Sequence, residues 1–279
     1  MTGRLGGGRR RPGGSSAARP RRRSVQRGVA WLSWLSVALL FLAWWLIHAL
    51  ALVPEVLLPG PGEVIDATVD IALHGYRETT LWQNMGATLW RCGAGFALAV
   101  LTGVPLGLAM GYWPAIRAAT NYVVQFMRPL PPLSYVILLI IWLGTGDSSK
   151  VVLLYLTALP IVASSAMAGV WTVKEQRLQA ARSLGASEWQ IFCYVVFPSA
   201  LPLTFTGARI ALAAAFSTVV AAELNAATDG LGWMVISASR FLRNDVIILG
   251  ILLLGLLGIL LSWMVLALDR RIVHWRGVE

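Results

Sequence analysis

Charged residues are scarce in this chain. Asp, Glu, Lys and Arg make up 13% of its 279 residues, whereas 57% are hydrophobic. An ordinary soluble domain has about a quarter of its residues charged, and a soluble fold of this length could not hide so much apolar surface. The composition therefore excludes such a domain and predicts a protein that is embedded in the lipid bilayer.

Acidic residues are missing from the first part of the chain. None precedes Glu55, and nine of the 21 Arg lie within residues 1–27. The net charge of +10 thus owes much to a basic tail ahead of an apolar stretch, which is typical of a positive-inside anchor and not of a nucleic-acid-binding surface. Residues 1–29 are predicted to be a disordered cytosolic tail, and no nucleic-acid partner is expected.

Groups that build catalytic or metal sites are also few. Cys92 and Cys193 lie on separate apolar segments, which favours small buried side chains over a disulfide, and the three histidines are far apart. Residues 144–150 contain glycines and a lysine without phosphate-loop spacing, which indicates a turn. We therefore predict no catalytic residue, no metal site and no cofactor.

Apolar stretches long enough to cross a bilayer, which takes about 20 residues, are abundant. Six candidates are residues 30–53, 88–110, 119–143, 151–171, 203–222 and 246–268. The first is too long for the apolar part of a signal peptide, and the third is interrupted at residues 128–132. The sequence predicts an all-α, polytopic membrane protein with about six transmembrane helices.

Basic residues in short loops set the orientation. They favour the cytosol for residues 111–118, 172–202 and 269–279, while most acids lie in residues 54–87, 144–150 and 223–245. Both termini are therefore predicted to be cytosolic, in a multi-pass membrane protein. The chain divides into a tail (1–29), a first helix (30–53), an outside segment (54–87), a five-helix core (88–268) and a second tail (269–279).

The outside segment contains a predicted amphipathic helix that follows a Pro-Gly-Pro breaker. One face carries acids and the other is apolar, which is typical of a helix lying at the membrane surface. The acids are Glu63, Asp66 and Asp70, and the apolar residues are Ile65, Val69 and Ala72. The acidic face is either simply solvated or a docking surface for an extracytoplasmic partner.

Small residues recur in the spans. Gly103, Gly107 and Gly111 are spaced by four, and Gly207 opens a run rich in alanine. Small side chains let helices approach closely in lipid, so this spacing indicates a packed bundle.

The longest cytosolic loop, residues 172–202, is predicted to form two short helices with a break between them. Gly185 suits the left-handed end of the first helix. Ser187 can cap the second, with Gln190 as its capping-box partner. Pro198 and Pro202 are expected to mark the exit towards the fifth span. Such a pair of helices would form a rigid protrusion.

The same loop resembles the EAA loop of binding-protein-dependent ABC permeases. The residues at that loop's spacings are Gln179, Ala180, Ala181, Gly185, Val195, Phe197 and Pro198. Two of them depart from its pattern: Gln179 stands in place of the usual acid and Phe197 in place of leucine. The resemblance implies the bacterial inner membrane as the location. The resemblance implies a type I ABC importer architecture in which this loop docks on a separate ATPase subunit. It also implies two ATP-binding subunits that use the ATP, an extracytoplasmic substrate-binding protein, and a homodimer that presents two docking loops.

Further stretches resemble one branch of that family, which imports taurine, alkanesulfonates, nitrate and pyrimidine precursors. The Arg-Pro-Leu-Pro-Pro run at residues 128–132 and the Ala-Ala-Glu-Leu run at 221–224 are most similar to taurine permeases. The resemblance implies a small anionic substrate, taurine or a related alkanesulfonate. Nitrate or a thiamine-precursor pyrimidine is the alternative.

Charges inside apolar stretches are candidates for the translocation path. Arg128 lies beside Pro129 in a broken helix, and broken helices can line transport pathways. Arg209 in the fifth span and Glu223 near its outer end are further candidates, although snorkelling or a structural ion pair would also explain these charges. Glu223 could pair with an outer arginine or meet the binding protein.

Two other classes of protein would share this hydropathy. A secondary transporter would show inverted repeats, and none is visible in the sequence. A membrane enzyme or structural scaffold is the other class, and the sequence shows no catalytic constellation.

Overall fold

The structure is a computed structural model that describes residues 22–273, and within them it contains no β-strand. A 3₁₀ turn spans Pro132–Ser134, and a π-helical segment spans Phe192–Val196. The helices are α1 (Arg22–Ala49), α2 (Pro61–His74), α3 (Leu81–Tyr112), α4 (Pro114–Met127), α5 (Val136–Leu143), α6 (Asp147–Trp171), α7 (Glu175–Ser183), α8 (Glu188–Ile191), α9 (Phe197–Ala226), α10 (Leu231–Ser239) and α11 (Asn244–Ile272). The all-α expectation is confirmed.

Helix α1 belongs to a compact unit that ends at Leu52, and the other helices belong to a second unit that begins at Val53. α1 ends at Ala49, before the predicted residue 53, and Ala51 takes a left-handed backbone conformation (φ 50°) in the turn that follows. α1 also includes residues 22–29, which were predicted to be disordered. Residues 21–53 contain no proline that would interrupt a helix, so the helix can include this basic stretch. Residues 1–21 and 274–279, which include parts of both predicted tails, lie outside the described residues.

Four helical stretches among the described residues are long and apolar enough to cross a membrane. They are Leu81–Tyr112, Asp147–Trp171, Glu188–Asn225 and Asn244–Ile272, and Trp34–Ala49 is a shorter apolar stretch. They contain the predicted second, fourth, fifth and sixth spans. α3 begins seven residues before the predicted span because Thr80 and Gln83 form a capping box.

The predicted third span, residues 119–143, is not one continuous helix. α4 ends at Met127, the 3₁₀ turn follows, and α5 begins only at Val136. Pro129, Pro131 and Pro132 each lack the N–H that would continue the helical ladder. The expected interruption is therefore a complete break, and α5 packs against α6 and α9 through Val136 and Leu139.

Helix α2 forms where the amphipathic helix is predicted, but the predicted apolar face is wrong. Its buried residues are Val64, Ala67 and Ile71, whereas Ile65 and Val69 are exposed at 62% and 53%. Both sets follow a helical period, and packing of α2 beside α11 selects the first. Glu63, Asp66 and Asp70 are exposed as expected.

Helices α3 and α6 run in the same direction in close contact. A Cβ atom added at Gly95 would touch Leu154, one at Gly103 would touch Val162, and one at Gly111 would touch Val170. The partner numbers rise together along the two helices, so glycines at fourfold and eightfold spacing line one seam. This confirms that these glycines permit close helix approach.

Helix α9 completes the core around this seam. Ala211, Ala215 and Val219 of α9 are buried with Ala158 of α6, and Cys92 of α3 lies in the same cluster. Both cysteines are free thiols, Cys92 fully buried and Cys193 half-buried. Small side chains thus occupy the positions where three long helices meet, which lets the helices pack closely in lipid.

Gly107→Ala is expected to destabilise the bundle, because a Cβ atom there would lie 2.2 Å from the carbonyl oxygen of Ala163. Overpacking of this kind costs about 1–3 kcal/mol. Gly93→Ala on the same helix is the control, since its Cβ would meet nothing within 4 Å. Thermal unfolding of the purified protein in detergent should show a lower midpoint for Gly107→Ala alone, and equal midpoints would contradict the proposed seam.

Candidate functional site

The loop between α6 and α9 forms a protrusion made of α7, a tight turn and α8, residues 175–191. The turn is a Schellman motif, in which Gly185 has φ +80°, its N–H donates to the carbonyl of Arg182, and the N–H of Ala186 donates to the carbonyl of Ala181. Ser187 then caps α8 in a capping box with Gln190. The predicted helix, glycine break and capped second helix are all confirmed.

The residues predicted to form the coupling loop lie mostly on the surface of this protrusion. Gln179, Ala180, Gly185 and Ser187 are exposed, and Ala181 is half-buried. Pro198 is the second residue of α9 and directly follows the π-helical segment that joins α9 to α8, so its missing N–H leaves a gap in the helical hydrogen bonds at this junction. Pro202, which was expected to mark the exit, lies inside α9 without ending it.

Two large apolar side chains at the tip of the protrusion were not singled out from the sequence. Leu184, which directly precedes Gly185, is 88% exposed, and Trp189 is 65% exposed. Exposed apolar residues next to a rigid turn indicate a surface that a partner covers. The available signal was the position of both residues beside the predicted turn, with Leu184 directly before Gly185 and Trp189 two residues after Ser187.

The side of the protrusion that faces the helical core packs against the ends of α3, α6 and α9. Leu178, Ala181 and Ala186 contact a buried cluster that includes Val170 and Ile191. This packing fixes the protrusion to the helical core through side chains from three helices.

Glu188 connects the protrusion to α3 through polar contacts. It accepts a hydrogen bond from Arg182 Nε at 3.1 Å and a short one from the Tyr112 hydroxyl. The carboxylate of Glu188 holds the pKa of the Arg182 guanidinium above its usual value. Glu188 therefore joins α7, α8 and the end of α3.

A second polar site surrounds Arg91, which lies 21 residues before Tyr112 on α3. At 1.5 Å of rise per residue, the two positions are about 31 Å apart along the helix. There the side chain of Arg91 is only 3% exposed and Glu223 is fully buried. Arg91 Nη1 donates to Glu223 Oε1 at 3.0 Å, and Arg91 Nε donates to Asp147 Oδ1 at 2.6 Å. Arg91 also donates to the carbonyl and the carboxylate of Asp229. The guanidinium thus connects α3 with α6, α9 and the α9–α10 loop.

Glu223 is held by further donors. Thr88 Oγ1 lies 2.9 Å from Oε1, and the backbone N–H of Gly232 lies 2.9 Å from Oε2. A Cβ atom at Gly230, whose φ is +111°, would lie 2.4 Å from the Glu223 carboxyl carbon. Only glycine therefore lets the α9–α10 loop close over this carboxylate.

Polar residues of α3 complete the same cluster. Asn84 Oδ1 accepts the N–H of Gly230 at 2.8 Å, and Thr88 Oγ1 accepts that of Leu231 at 2.9 Å. Asn84, Thr88 and Arg91 follow one another at spacings of four and three in an otherwise apolar helix, which places them on one face. That spacing is the sequence signal that could have identified this cluster.

The candidate path residues do not all lie in one environment. Arg128 follows the last residue of α4 and is exposed, with a long contact of 3.5 Å to Gln125, and Pro129 is also exposed. Arg209 is exposed on α9, whereas Glu223 is buried in the Arg91 cluster. Pairing of Glu223 with an arginine, one of the alternatives considered, is what the structure shows, and a place on the translocation path stays a prediction for these residues.

An open cavity of about 840 Å³ lies beside the Arg91 cluster. Asp147 and Asp229 line it together with Trp90 and Trp233. The end of the bundle opposite the protrusion is therefore concave and carries carboxylates and indole rings.

Comparison with known proteins places these features in one family. The family model described as binding-protein-dependent transport system inner membrane component matches residues 103–274. The taurine transport system permease protein TauC of Escherichia coli K12 is 43% identical over 243 residues, covering 87% of this chain and 88% of that protein. The aliphatic sulfonates permease protein SsuC of the same strain is 29% identical, covering 83% and 87%.

Two further similarities extend the comparison. The nitrate import permease protein NrtB of Synechocystis is 28% identical over 222 residues, covering 77% of this chain and 80% of that protein. An inward-facing structure of the MetNI methionine ABC transporter contains a chain that superposes with a TM-score of 0.62 at 20% identity. It covers 69% of this chain and 95% of its own. This last similarity shows the fold alone.

Arg91→Ala is expected to lower the free energy of unfolding by about 3–5 kcal/mol, because it leaves Glu223 buried without its counter-ion. Arg243→Ala is the control. Arg243 pairs with Asp245 at 2.7 Å, but its side chain is 48% exposed, and such a pair contributes at most about 1 kcal/mol. Denaturant unfolding in detergent, followed by tryptophan fluorescence, measures both. Equal losses would contradict the role given to the cluster.

Proposed function

Since this chain belongs to the family of binding-protein-dependent transport system inner membrane components, we propose that it is the permease subunit of an ATP-driven importer whose protrusion is moved by a separate ATP-hydrolysing subunit. The observation that carries the coupling role is the protrusion itself. A rigid Schellman turn presents Leu184 at 88% exposure and Trp189 at 65%. These are apolar anchors of the kind that a partner's groove buries.

In this proposal the chain itself hydrolyses nothing. Two ATP-binding subunits bind and hydrolyse ATP, and each takes one protrusion, which requires two copies of the permease. A homodimer with two-fold symmetry satisfies this requirement. The protrusion then faces the cytosol, with both termini on the same side, and the Arg91 cluster faces the binding protein outside.

Movement of the protrusion would bias the permease between inward-facing and outward-facing states. A ligand or partner can shift such an equilibrium only through contacts that differ between the two states. The nucleotide-driven closing of the ATPase pair supplies that difference at the protrusion, and the helices transmit it to the opposite side of the membrane.

Taurine or a related alkanesulfonate is the substrate that we propose. Support comes from the 43% identity to a taurine permease, against 29% and 28% to a sulfonate and a nitrate permease. The exposed Arg128 guanidinium beside Pro129 is the proposed attraction point for the anionic group, with Arg209 as a second cation on the α9 surface.

Uptake of labelled taurine tests the substrate. Membrane vesicles that contain the permease, its ATP-binding subunits and its binding protein should accumulate taurine only with ATP. Unlabelled nitrate should compete less than unlabelled alkanesulfonate. Arg128→Ala should lower the taurine uptake rate if this cation attracts the sulfonate. Uptake driven by an ion gradient without ATP would instead indicate a secondary transporter.

Gly185→Val is expected to uncouple ATP hydrolysis from transport. A non-glycine residue in the left-handed conformation costs about 1–2 kcal/mol, so the Schellman turn would open and displace Leu184. Gly185→Asn is the matched control, because asparagine tolerates that conformation. Taurine uptake per ATP hydrolysed should fall for Val and be largely kept for Asn, while both variants insert normally. Full coupling in Gly185→Val would argue against docking through this turn.

A further inference from the structure

The protrusion has two backbone connections to the helical core, and both contain an irregularity. Between α6 and α7 the chain leaves the helix at residues 172–174. After α8 it passes through the π-helical segment Phe192–Val196 before α9 begins. A π segment interrupts the regular hydrogen-bond ladder and is frequent at functional positions. Neither backbone connection is therefore a regular α-helix continuous with the core.

Side chains make a third connection, to the end of α3. The Tyr112 hydroxyl donates to the Glu188 carboxylate, which also accepts from Arg182. The Tyr112 ring packs on Phe192 with centroids 5.4 Å apart, and the Trp113 ring packs on Phe192 at 5.0 Å. Helix α3 thus contacts the protrusion at the point where α8 gives way to the π segment.

Helix α3 is a single helix of 32 residues from Leu81 to Tyr112. Its residue Arg91 lies 21 positions before Tyr112 and is fastened to α6, α9 and the α9–α10 loop by the buried ion pairs. One continuous helix therefore carries the contact with the protrusion near one end and the Arg91 cluster towards the other.

We propose that Tyr112 and Glu188 are positioning residues that transmit movement of the protrusion to α3, and that α3 carries this movement to the Arg91 cluster at the far side of the bundle. The inference rests on the proposed function, since it takes the ATP-binding subunits as the source of the movement. It adds that α3, which is joined to the protrusion only through side chains, receives that movement directly.

The test measures α3 at its far end, without reference to the transported substrate. Trp90, next to Arg91, is 65% exposed, so Trp90→Cys provides a site for a maleimide probe. In the full complex with its ATP-binding subunits, ATP with vanadate should change the labelling rate at this position. Tyr112→Phe removes only the hydroxyl that reaches Glu188. We expect it to reduce the change by about tenfold or more, as the loss of a hydrogen bond to a charged group implies.

Matched variants separate transmission from general damage. Tyr122→Phe makes the same chemical change on α4, where Tyr122 is 82% exposed, and should leave the labelling change intact. Glu188→Ala removes the acceptor of the Tyr112 hydroxyl and should reduce the change at least as much as Tyr112→Phe does. The double variant should be no worse than Glu188→Ala alone, because the contact with Tyr112 is already lost in that variant. Unfolding midpoints should stay equal to that of the parent Trp90→Cys protein.

The outcomes distinguish failure of the proposed function from failure of the inference about α3. If the complex has no ATP-driven taurine uptake, the proposed function fails. If it takes up taurine but the parent Trp90→Cys complex shows no ATP-dependent change in labelling, α3 does not carry movement to the Arg91 cluster. If the parent shows the change and Tyr112→Phe and Glu188→Ala both keep it in full, the function stands and the transmission through α3 is wrong. Additive losses in the double variant would also overturn the inference, since they would mean that the two residues act separately.

Discussion

A buried arginine that must be neutralised by carboxylates from other helices is the constraint on which the end of the bundle depends. Arg91 and Glu223 are both out of water, and an unpaired charge in such a place costs several kcal/mol. The pair can persist only while α3 and α9 keep their relative position. Asp147 and Asp229 extend the same requirement to the start of α6 and to the α9–α10 loop. Ion pairs thus define the relative position of these helices, which apolar packing in lipid would define less precisely.

The middle of the bundle is held in a different way. Glycines of α3 face α6 so closely that a single added carbon at Gly107 or Gly111 would overlap its neighbour. Two helices in such contact cannot rotate independently, so α3 and α6 behave as one body over much of their length. The glycine contacts thus fix the relative position of α3 and α6 in the middle of the bundle, as the ion pairs do at its end.

Local signals made the protrusion predictable from the sequence, whereas the partners within the ion-pair cluster depend on long-range contacts that the sequence does not specify. Gly185 and Ser187 act on backbone groups within a few residues, so their roles follow from turn and capping chemistry. Arg91 and Glu223 are 132 positions apart, and nothing in either neighbourhood names the other as its partner. The α2 face was mistaken for a related reason, because two helical faces were both apolar and only the contact with α11 chose between them. The break after α4 was foreseeable from its prolines, since a missing N–H is a property of the residue itself.

The coupling mechanism requires the protrusion to lie on the cytosolic side of the membrane, and this location can be measured directly. Leu184→Cys, in a chain that also carries Cys193→Ser, places one reactive thiol at the tip, while Cys92 is fully buried. A membrane-impermeant maleimide should label this thiol in inside-out vesicles and not in intact cells, and bound ATP-binding subunits should protect it. Labelling in intact cells would place the protrusion outside, away from ATP, and would contradict the coupling mechanism.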